Sequence, residues 1–188
     1  MNRYHRWYCR SAKWQSRLDQ TVLPWVLRDY PLGDKLLEIG PGPGLTTDLL
    51  RQRVPAMTCI EIDDRLAAAL SERTKGSNVT VEHGDATDMP FAEGTFSSAV
   101  ALTMLHHVPS AAMQDRLLAE AFRVLQPGGI FLGMDSTPSL RFRLVHLFDT
   151  MVVVDPDTFS SRLQAAGFDD VSVREGDGAF RWRARKPA

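Results

Sequence analysis

Residues 40–44 read Gly-Pro-Gly-Pro-Gly and lie between an apolar run and a stretch with helical spacing. Glycine has no Cβ, so it permits a positive φ and lets another molecule come close to the main chain. The two prolines stiffen the segment, so less entropy is lost when it is ordered. A tight turn alone would need only one glycine. The pattern therefore predicts a rigid loop whose backbone faces a ligand.

The residues after this loop narrow the class of ligand. The phosphate loop of nucleotide hydrolases ends in Gly-Lys-Ser/Thr, whereas Gly44 is followed by Leu45, Thr46 and Thr47. The dinucleotide motif G-x-G-x-x-G also fails, because its third glycine would fall on Leu45 or Thr47. Nucleotide hydrolysis and the binding of NAD or FAD are therefore disfavoured.

Strand-like and helix-like patterns alternate along the chain, which predicts an α/β fold with parallel strands and helices on both faces of the sheet. The apolar spacing predicts strands at 35–39, 56–62, 78–84, 96–105 and 128–135, helices at 45–54, 63–74, 110–125 and 157–167, and a closing hairpin of strands at 169–175 and 179–185. In the helix after the glycine loop, Leu45, Leu49 and Leu50 are the predicted buried face. The loop itself would lie at the carboxyl end of the first strand, where open α/β sheets bind ligands.

The segment LLEIGPGPG resembles the first motif of class I S-adenosylmethionine-dependent methyltransferases, an acidic residue followed by three alternating glycines. The resemblance implies that Glu38, Gly40, Gly42 and Gly44 help to bind S-adenosylmethionine. It also implies the fold of that family, a three-layer, Rossmann-like α/β structure with a mostly parallel seven-stranded sheet and an antiparallel edge hairpin. Residues 1–188 would then form a single methyltransferase domain.

Two further acids match the family at the ends of the second and third predicted strands. By this resemblance Glu61 would bind the ribose hydroxyls, since a carboxylate can accept both protons, and Ile62 would lie against the adenine ring. Asp85 would accept from the adenine amino group, and the Ala86 amide would reach a ring nitrogen. Leu102, at the end of the fourth strand, completes the predicted cofactor site. No metal site is predicted.

Later segments extend the resemblance over residues 35–175. MLHHVP, RVLQPGGIFL and LQAAGFDDVSV are similar to the end of the fourth strand, the turn into the fifth and the lead into the sixth. One departure lies at the start of the fourth strand, where the family usually has Phe-Asp and this chain has Phe96, Ser97 and Ser98. The missing acid would lie away from the cofactor, so we expect only a local change in capping or loop hydrogen bonds.

His106 and His107 are the candidate catalytic residues. If the acceptor is a hydroxyl or an acidic carbon, a base helps to remove its proton, and histidine, with an ordinary pKa of about 6.5, suits neutral pH. The alternative is a pair of loop histidines bonded to the backbone. Asp135 is a weaker candidate, for which helix capping by Asp135 or Ser136 is the alternative.

Residues 1–30 are predicted to be an N-terminal helical segment with an aromatic face. Aromatic and apolar side chains recur at helical spacing between basic ones; they are Tyr4, Trp7, Tyr8, Trp14 and Leu18, beside Arg3, Arg6, Arg10, Lys13 and Arg17. Three interpretations stay open: packing against the domain, a lid that closes over cofactor and acceptor, or peripheral contact with an anionic membrane surface.

Basic and apolar residues also alternate near the end of the chain. Arg181, Arg183, Arg185 and Lys186 alternate with Phe180, Trp182 and Ala184. The pattern predicts an amphipathic strand at a solvated edge of the sheet, where basic residues oppose pairing with other chains.

The charge balance limits the partners. Lys and Arg number 22 and Asp and Glu 23, a net charge of -1, so no global field attracts nucleic acid, and no nucleic-acid partner is expected. The sequence has no apolar run of the length that a signal peptide or a membrane span needs, which predicts a cytoplasmic protein. Cys59 lies in an apolar run and is predicted to be a buried thiol. The oligomeric state is not indicated.

The predicted acceptor is a small molecule of quinone, lipid, phenolic or natural-product type. EIGPGPGLTTDLL and EIDDRL also resemble the ribosomal RNA adenine dimethyltransferases. Those enzymes carry an Asn/Asp-Pro-Pro-aromatic motif after the fourth strand, where this chain has Met104, Leu105, His106 and His107. An RNA adenine or protein methyltransferase, or a non-catalytic partner subunit that binds S-adenosylmethionine, is the alternative.

Overall fold

The computed structural model describes residues 11–28, 30–137, 151–176 and 178–188. Tyr4, Trp7 and Tyr8 of the predicted aromatic face lie outside these residues. Among the helices of the described ranges, none combines the length and the apolar character that crossing a bilayer requires.

The described strands form one seven-stranded sheet. They are β1 (Lys35–Ile39), β2 (Ala56–Glu61), β3 (Val79–His83), β4 (Phe96–Leu102), β5 (Leu125–Ser136), β6 (Asp169–Gly176) and β7 (Ala179–Arg185). Their order in the sheet is β3-β2-β1-β4-β5-β7-β6. Strands β1 to β5 run parallel, whereas β7 pairs antiparallel with both β5 and β6. The predicted α/β class, the mostly parallel sheet and the antiparallel edge are confirmed.

Short polar residues begin most of the helices. Ser11, Asp63, Ser110 and Asp155 each accept a hydrogen bond from a backbone N–H of the first turn, which satisfies a donor that the helix leaves unpaired. The helices are α1 (Ala12–Arg17), α2 (Leu23–Leu27), α3 (Leu45–Leu50), α4 (Asp64–Arg73), α5 (Ala111–Val124) and α6 (Pro156–Ala165). A π-helical turn, Leu18–Val22, joins α1 to α2, and a 3₁₀ turn, Leu105–His107, follows β4.

Apolar side chains cover both faces of the sheet, because neighbouring residues of a buried strand point to opposite sides. One core contains Leu117 of α5, Phe159 of α6 and Trp182 of β7. The other contains Leu23 of α2 and Leu70 of α4. The sheet is therefore the middle of three layers, as predicted.

Two serines replace the acid that the family usually has at the start of β4. The Ser97 hydroxyl has one proton, which can be shared between the carbonyls of Leu32 and Lys35 at 3.0 and 2.9 Å, and the oxygen accepts from the Lys35 N–H at 3.0 Å. The Ser98 hydroxyl donates to the Leu32 carbonyl at 2.5 Å. These bonds hold the segment before β1 against the start of β4. The hydrogen bonds of both hydroxyls are confined to this region, and the expected change relative to the family pattern stays a prediction.

The prediction that the Arg181, Arg183 and Arg185 strand is a solvated edge was wrong. The strand is β7, which lies between β5 and β6, and β6 is the edge of the sheet. One face of β7 carries Trp182 into the core, while the arginines line the opposite face. The alternation was read correctly, but the order of strands in a sheet is not encoded in the pattern of one strand.

We expect Gly133→Ala to lower the free energy of unfolding. Gly133 lies opposite Trp182 in the ladder between β5 and β7. An added Cβ would overlap the buried Trp182 indole and the Ala101 carbonyl oxygen, and overpacking of this kind costs about 1–3 kcal/mol. Gly84→Ala is the control, because its Cβ would meet the Ile60 side chain at an ordinary 3.4 Å. Urea unfolding measures both, and equal midpoints for the two variants would contradict the expectation.

Candidate functional site

The glycine loop, residues 40–44, connects β1 to α3. Gly40, Gly42 and Gly44 have φ values of 66°, 55° and 81°, a region that residues with a Cβ avoid. The Gly40 N–H donates to the Ile60 carbonyl at 2.9 Å, and the Gly44 N–H donates to the Pro41 carbonyl at 3.0 Å. A Cβ at Gly42 would meet no atom within 4 Å. The loop is therefore fixed by its own backbone bonds and has one open face, at Gly42.

Arg73 of α4 closes the outer side of the loop. Its guanidinium donates to the carbonyls of Pro43 and Gly44 at 3.2 Å each, and it donates to the Asp48 carboxylate at 2.5 Å. A Cβ at Gly44 would overlap this guanidinium and Leu70. A side chain at Gly44 would displace the ends of these two side chains and would be strained at a φ of 81°, whereas Gly42 leaves room on the inside.

Glu38 lies beneath the loop and is buried. The Thr46 hydroxyl donates to one carboxylate oxygen, and the Thr47 hydroxyl donates to the other at 2.5 Å. The Cys59 thiol also lies 3.5 Å from the carboxylate. Burial raises the pKa of Glu38, and the hydroxyl donors oppose this increase only in part. Both carboxylate oxygens of Glu38 therefore accept hydrogen bonds from helix α3.

The buried face of α3 differs from the predicted one. Thr46, Thr47 and Leu50 are buried, while Leu45 and Leu49 are only half-buried. Leu50 is buried as predicted, and Leu45 and Leu49 pack half-buried against the core. The prediction left out the two threonines because it counted apolar residues alone. The two threonine hydroxyls turn inward to satisfy a buried carboxylate, and a buried polar group with a partner is as acceptable as an apolar one.

Glu61 ends β2 and fixes the inner side of the loop. Its Oε2 accepts from the Gly42 N–H at 2.9 Å, and its Oε1 accepts from the Asp63 N–H at 3.0 Å. Each carboxylate oxygen has a second lone pair, so both can also accept a hydroxyl from a ligand. The Asp63 side chain caps α4, which fixes the start of that helix beside the acid.

A cavity of about 400 Å³ lies at the carboxyl ends of β1, β2, β3 and β4. Ile62 is on its lining and is 67% exposed, the one exposed large apolar side chain in the described part of the chain. The predicted residues that line the cavity are Gly40, Gly42, Glu61, Ile62, Asp85, Ala86, Leu102 and His107. The predicted residues Glu38, Gly44 and His106 are not on its lining. Glu38 and Gly44 support the loop from outside the cavity.

His106 and His107 have different surroundings. His106 is buried, and its Nδ1 lies 2.6 Å from Asp135 Oδ1, while its backbone N–H donates to Asp135 Oδ2 at 3.1 Å. A carboxylate can only accept, so Nδ1 carries the proton. His107 is half-buried, lines the cavity and has its ring centroid 4.2 Å from that of His106. Both Asp135 oxygens thus bond to the 3₁₀ turn Leu105–His107, called the histidine turn below, and Oδ1 also accepts from the Ser136 N–H at 2.6 Å. The residues that a helix cap at Asp135 or Ser136 would serve lie outside the described ranges, so that alternative stays a prediction.

The histidine turn is also fixed from the other side. The Gln114 side-chain amide donates to the carbonyls of Leu105 and Val152, at 3.1 and 2.9 Å. The Val152 N–H donates to the His106 carbonyl at 2.8 Å. Helix α5 and the segment before α6 thus share hydrogen bonds with the turn, which gives His107 a defined position on the cavity wall.

Trp14 and Leu18, from α1 and the π-helical turn, also line the cavity. Leu18 is 2% exposed and belongs to the same core as α2, while Trp14 packs against that core. The described part of the N-terminal segment therefore packs on the domain and also forms part of the cavity wall.

The sequence prediction missed several residues of the cavity wall. Thr103, Met104, Val108 and Met113 lie on the lining. Thr103 has a φ of 53°, which is rare for a β-branched residue, and its N–H donates to the Met134 carbonyl at 2.8 Å. The segment MLHHVP offered a signal for Met104 and Val108. The left-handed backbone of Thr103 leaves no signal in the sequence, because tertiary hydrogen bonds determine that conformation.

A family model described as a methyltransferase domain matches residues 37–133, just over half of the chain. The chain belongs to this methyltransferase family. The predicted membership of the class I S-adenosylmethionine-dependent methyltransferases is thereby confirmed. The matched residues run from β1 to β5 and include the glycine loop, Glu61, Asp85 and the histidine turn.

This methyltransferase domain has curated relatives of two kinds. It is 30% identical over 135 residues to the ubiquinone biosynthesis O-methyltransferase of Pseudomonas aeruginosa (strain LESB58). This alignment covers 68% of this chain and 57% of that protein. It is 31% identical over 159 residues to ribosomal RNA small subunit methyltransferase A of Bordetella pertussis, which covers 75% of this chain and 58% of that protein. The chain thus spans less than two thirds of the length of both relatives.

A solved structure matches the methyltransferase domain over its whole length. The PH0226 protein from Pyrococcus horikoshii superposes with a TM-score of 0.83 and covers 99% of both chains. The sequences are 16% identical, so this likeness shows the fold alone. It confirms the predicted three-layer, Rossmann-like methyltransferase fold.

We expect Glu38→Gln to gain stability relative to the wild type as the pH rises. Burial raises the folded-state pKa of Glu38 above its usual value of 4.5. The contribution of this group to stability is then complete below the unfolded pKa and is lost as the pH rises through the folded pKa. Glutamine does not titrate, so the contribution of residue 38 to the free energy of unfolding stays the same as the pH rises. Urea unfolding of both proteins from about pH 4 to about pH 8 checks the sign.

Glu72→Gln is the matched control for this measurement. Glu72 is exposed near the end of α4, so its substitution should shift stability by the same small amount at every pH. A difference between Glu38→Gln and the wild type that stays constant with pH would show that the Glu38 carboxyl has the same pKa in both states.

Proposed function

We propose that this chain transfers a methyl group from S-adenosylmethionine to the hydroxyl group of a small, largely apolar acceptor. The observation that carries the proposal is the position of His107 on the cavity lining, next to a His106 ring bonded to Asp135. A histidine there can take the proton of a hydroxyl as it is methylated. The similarity to a ubiquinone biosynthesis O-methyltransferase supports transfer to oxygen.

The cavity residues fit S-adenosylmethionine. Both oxygens of Glu61 retain capacity for a ribose hydroxyl, and the exposed Ile62 side chain offers an apolar surface to adenine. Asp85 and Ala86 are also on the cavity lining, which supports their assignment to the adenine amino group and a ring nitrogen. The open face of Gly42 leaves space for a ligand against the backbone. When bound, the cofactor supplies an electrophilic methyl group on a sulfonium sulfur.

The charge of the cavity suits a cationic cofactor. Glu61, Asp63 and Asp85 line it together, and three carboxylates stabilise a positive sulfonium by Coulomb attraction. We therefore assign Glu61, Ile62, Asp85, Ala86, Gly40, Gly42 and Leu102 to cofactor binding. Glu38 and Gly44 we assign to holding the loop in shape.

The reaction needs alignment more than it needs a protein nucleophile. Holding the reacting groups in line can supply roughly 7–11 kcal/mol of the barrier, and His107 is the group that would accept the proton of the acceptor hydroxyl. His106 is buried and off the cavity lining, so we assign it a positioning role. Its bond to Asp135 fixes the turn and, with it, the place of the His107 ring.

The remaining cavity wall supports an apolar acceptor such as a phenol, a quinone or a lipid. Trp14, Leu18, Met104, Val108 and Met113 provide apolar surface there. We propose that Trp14 and Leu18 act as part of a lid that excludes water from the sulfonium. Contact of the N-terminal segment with an anionic membrane surface stays a prediction, because residues 1–10 lie outside the described ranges.

Methylation of RNA is the second candidate, favoured by the 31% identity to a ribosomal RNA methyltransferase. The segment after β4 argues against it, because the chain has Met104 to His107 where adenine-amine enzymes hold the target base with an Asn/Asp-Pro-Pro-aromatic motif. The net charge of -1 also provides no general attraction for a phosphate backbone.

Calorimetric titration with S-adenosylhomocysteine, the demethylated product, tests the cofactor site. We expect micromolar binding by the wild type and a loss of about 10- to 100-fold in affinity for Glu61→Ala and Asp85→Ala, since each removes a charge-assisted hydrogen bond worth about 1.5–3 kcal/mol. Trp14→Ala should lose about tenfold if this side chain covers the bound ligand.

Glu72→Ala is the control for these titrations, because it removes an exposed carboxylate of α4 that is not on the cavity lining. Its affinity should equal that of the wild type. Wild-type protein that binds no S-adenosylhomocysteine would refute the cofactor assignment, and unchanged binding by Glu61→Ala would refute the role of that carboxylate.

Methyl-transfer assays with phenolic, quinone and lipid acceptors test the base. We expect His107→Gln to lower kcat by about 10²- to 10⁴-fold without weakening the binding of S-adenosylhomocysteine, because a general base acts only in the chemical step. His106→Gln keeps a side-chain donor within reach of Asp135 and should cost less. Equal kcat for His107→Gln and the wild type would exclude His107 as the base.

The same assays separate an enzyme from a partner subunit. Tight binding of S-adenosylhomocysteine with no turnover on any of these acceptors would favour a non-catalytic module that binds the cofactor. Turnover on ribosomal RNA alone would favour the second candidate.

A further inference from the structure

Two arginines of the β6–β7 hairpin, Arg174 and Arg181, and Arg28 after α2 form an arginine cluster that is not on the cavity lining. Arg174 and Arg181 are direct partners in the ladder between these strands, so their side chains stand on the same face of the sheet. Arg28 directly follows α2, three residues after Trp25, whose carbonyl oxygen accepts a hydrogen bond from Arg181 Nη1 at 2.8 Å. Like charges directly opposite each other in a ladder oppose folding, so this arrangement needs a physical reason.

Arg181 is held rigidly at the centre of this arginine cluster. Its Nη1 donates to the Trp25 carbonyl at 2.8 Å, and its guanidinium carbon lies 5.5 Å from the centroid of the Trp25 ring. Its Nε is buried and has no hydrogen-bond partner. Burial, followed by the charges of Arg28 and Arg174, lowers the pKa of Arg181. The Arg181 guanidinium thus lies in a positive environment.

Neighbouring arginines of the same strand are neutralised. Arg183 forms a two-bond pair with the Asp170 carboxylate, and Arg185 lies 4.0 Å from the same group. In the ranges that the structure describes, no carboxylate forms an ion pair with Arg28, Arg174 or Arg181. Within those ranges, which do not include Asp29 and Asp177, the arginine cluster is therefore a group of cations without a paired carboxylate.

We propose that Arg28, Arg174 and Arg181 bind a phosphate group. A guanidinium presents its N–H donors in a planar fork that matches phosphate oxygens, and such charge-assisted bonds are about twice as strong as neutral ones. A dianion at this place would remove the repulsion between the cross-strand arginines. The hairpin turn adjoins the end of β5, since Ala179 pairs with both Ser136 and Gly176, so the site lies at the same edge of the sheet as the cofactor cavity.

Unfolding of the chain in inorganic phosphate, against chloride at constant ionic strength, tests the site. Phosphate should raise the urea midpoint of the wild type by preferential binding to the folded state. Arg174→Glu should bind phosphate about tenfold more weakly. In phosphate-free buffer it should be more stable than the wild type, because a cross-strand ion pair with Arg181 replaces a repulsion.

Two further variants keep the test decisive. Arg53→Glu makes the same change of charge on an exposed loop and should retain the full response to phosphate. Arg174→Gln removes the charge without adding a carboxylate. Its stabilisation by phosphate should lie between those of the wild type and Arg174→Glu, and it can be measured even if the glutamate variant does not fold. No phosphate response in the wild type, or an equal response in Arg174→Glu, would overturn the proposal.

Sedimentation with vesicles identifies the source of the phosphate group. Binding to phosphatidylglycerol but not to phosphatidylcholine, lost in Arg174→Glu and kept in Arg53→Glu, would identify a lipid headgroup. A response to inorganic phosphate with no vesicle binding would identify free phosphate or a soluble phosphate ester. Either result supports the phosphate site.

Discussion

The buried carboxylate of Glu38 determines where the glycine loop lies. It sits near the end of β1 and accepts from the hydroxyls of Thr46 and Thr47 in the first turn of α3, so one group ties together the two elements that the loop joins. Glu61 then holds the middle of the loop through the Gly42 N–H. The donors in these bonds are hydroxyls and amides rather than basic side chains. The shape of the loop therefore depends on buried hydrogen bonds, which salt screens far less than surface charge pairs.

Sequence patterns predicted the fold well where the signal is local. Apolar alternation and periodicity located every described strand and the main helices, and the glycine motif located the first turn of the sheet. The errors arose where an outcome depends on distant residues. The side-chain pattern of β7 was read correctly, yet its interior position follows from pairing with β5. The inward turn of Thr46 and Thr47 follows from a carboxylate eight and nine residues away.

In the candidate site, too, features with a local sequence signal could be predicted, and features set by distant residues could not. Glu61 and Asp85 could be named through the resemblance to the methyltransferase family, and both lie on the cavity lining. The difference between His106 and His107 could not, since adjacent residues of a 3₁₀ turn diverge and only the bond to Asp135 decides which one is buried. The left-handed backbone of Thr103 is equally a product of tertiary hydrogen bonding. The burial of His106 and the left-handed backbone of Thr103 are both set by the assembled fold.

The interior position of β7 has a consequence for synthesis on the ribosome. β5 is complete at Ser136, but the strand that covers its free side begins only at Ala179. At about 5–20 residues per second, the ribosome needs several seconds to make the intervening chain. During that time β5 presents unpaired N–H and C=O groups, which other chains can pair with, and Gly133 lacks its Trp182 cover. The nascent chain therefore passes through an aggregation-prone stage that the finished sheet conceals.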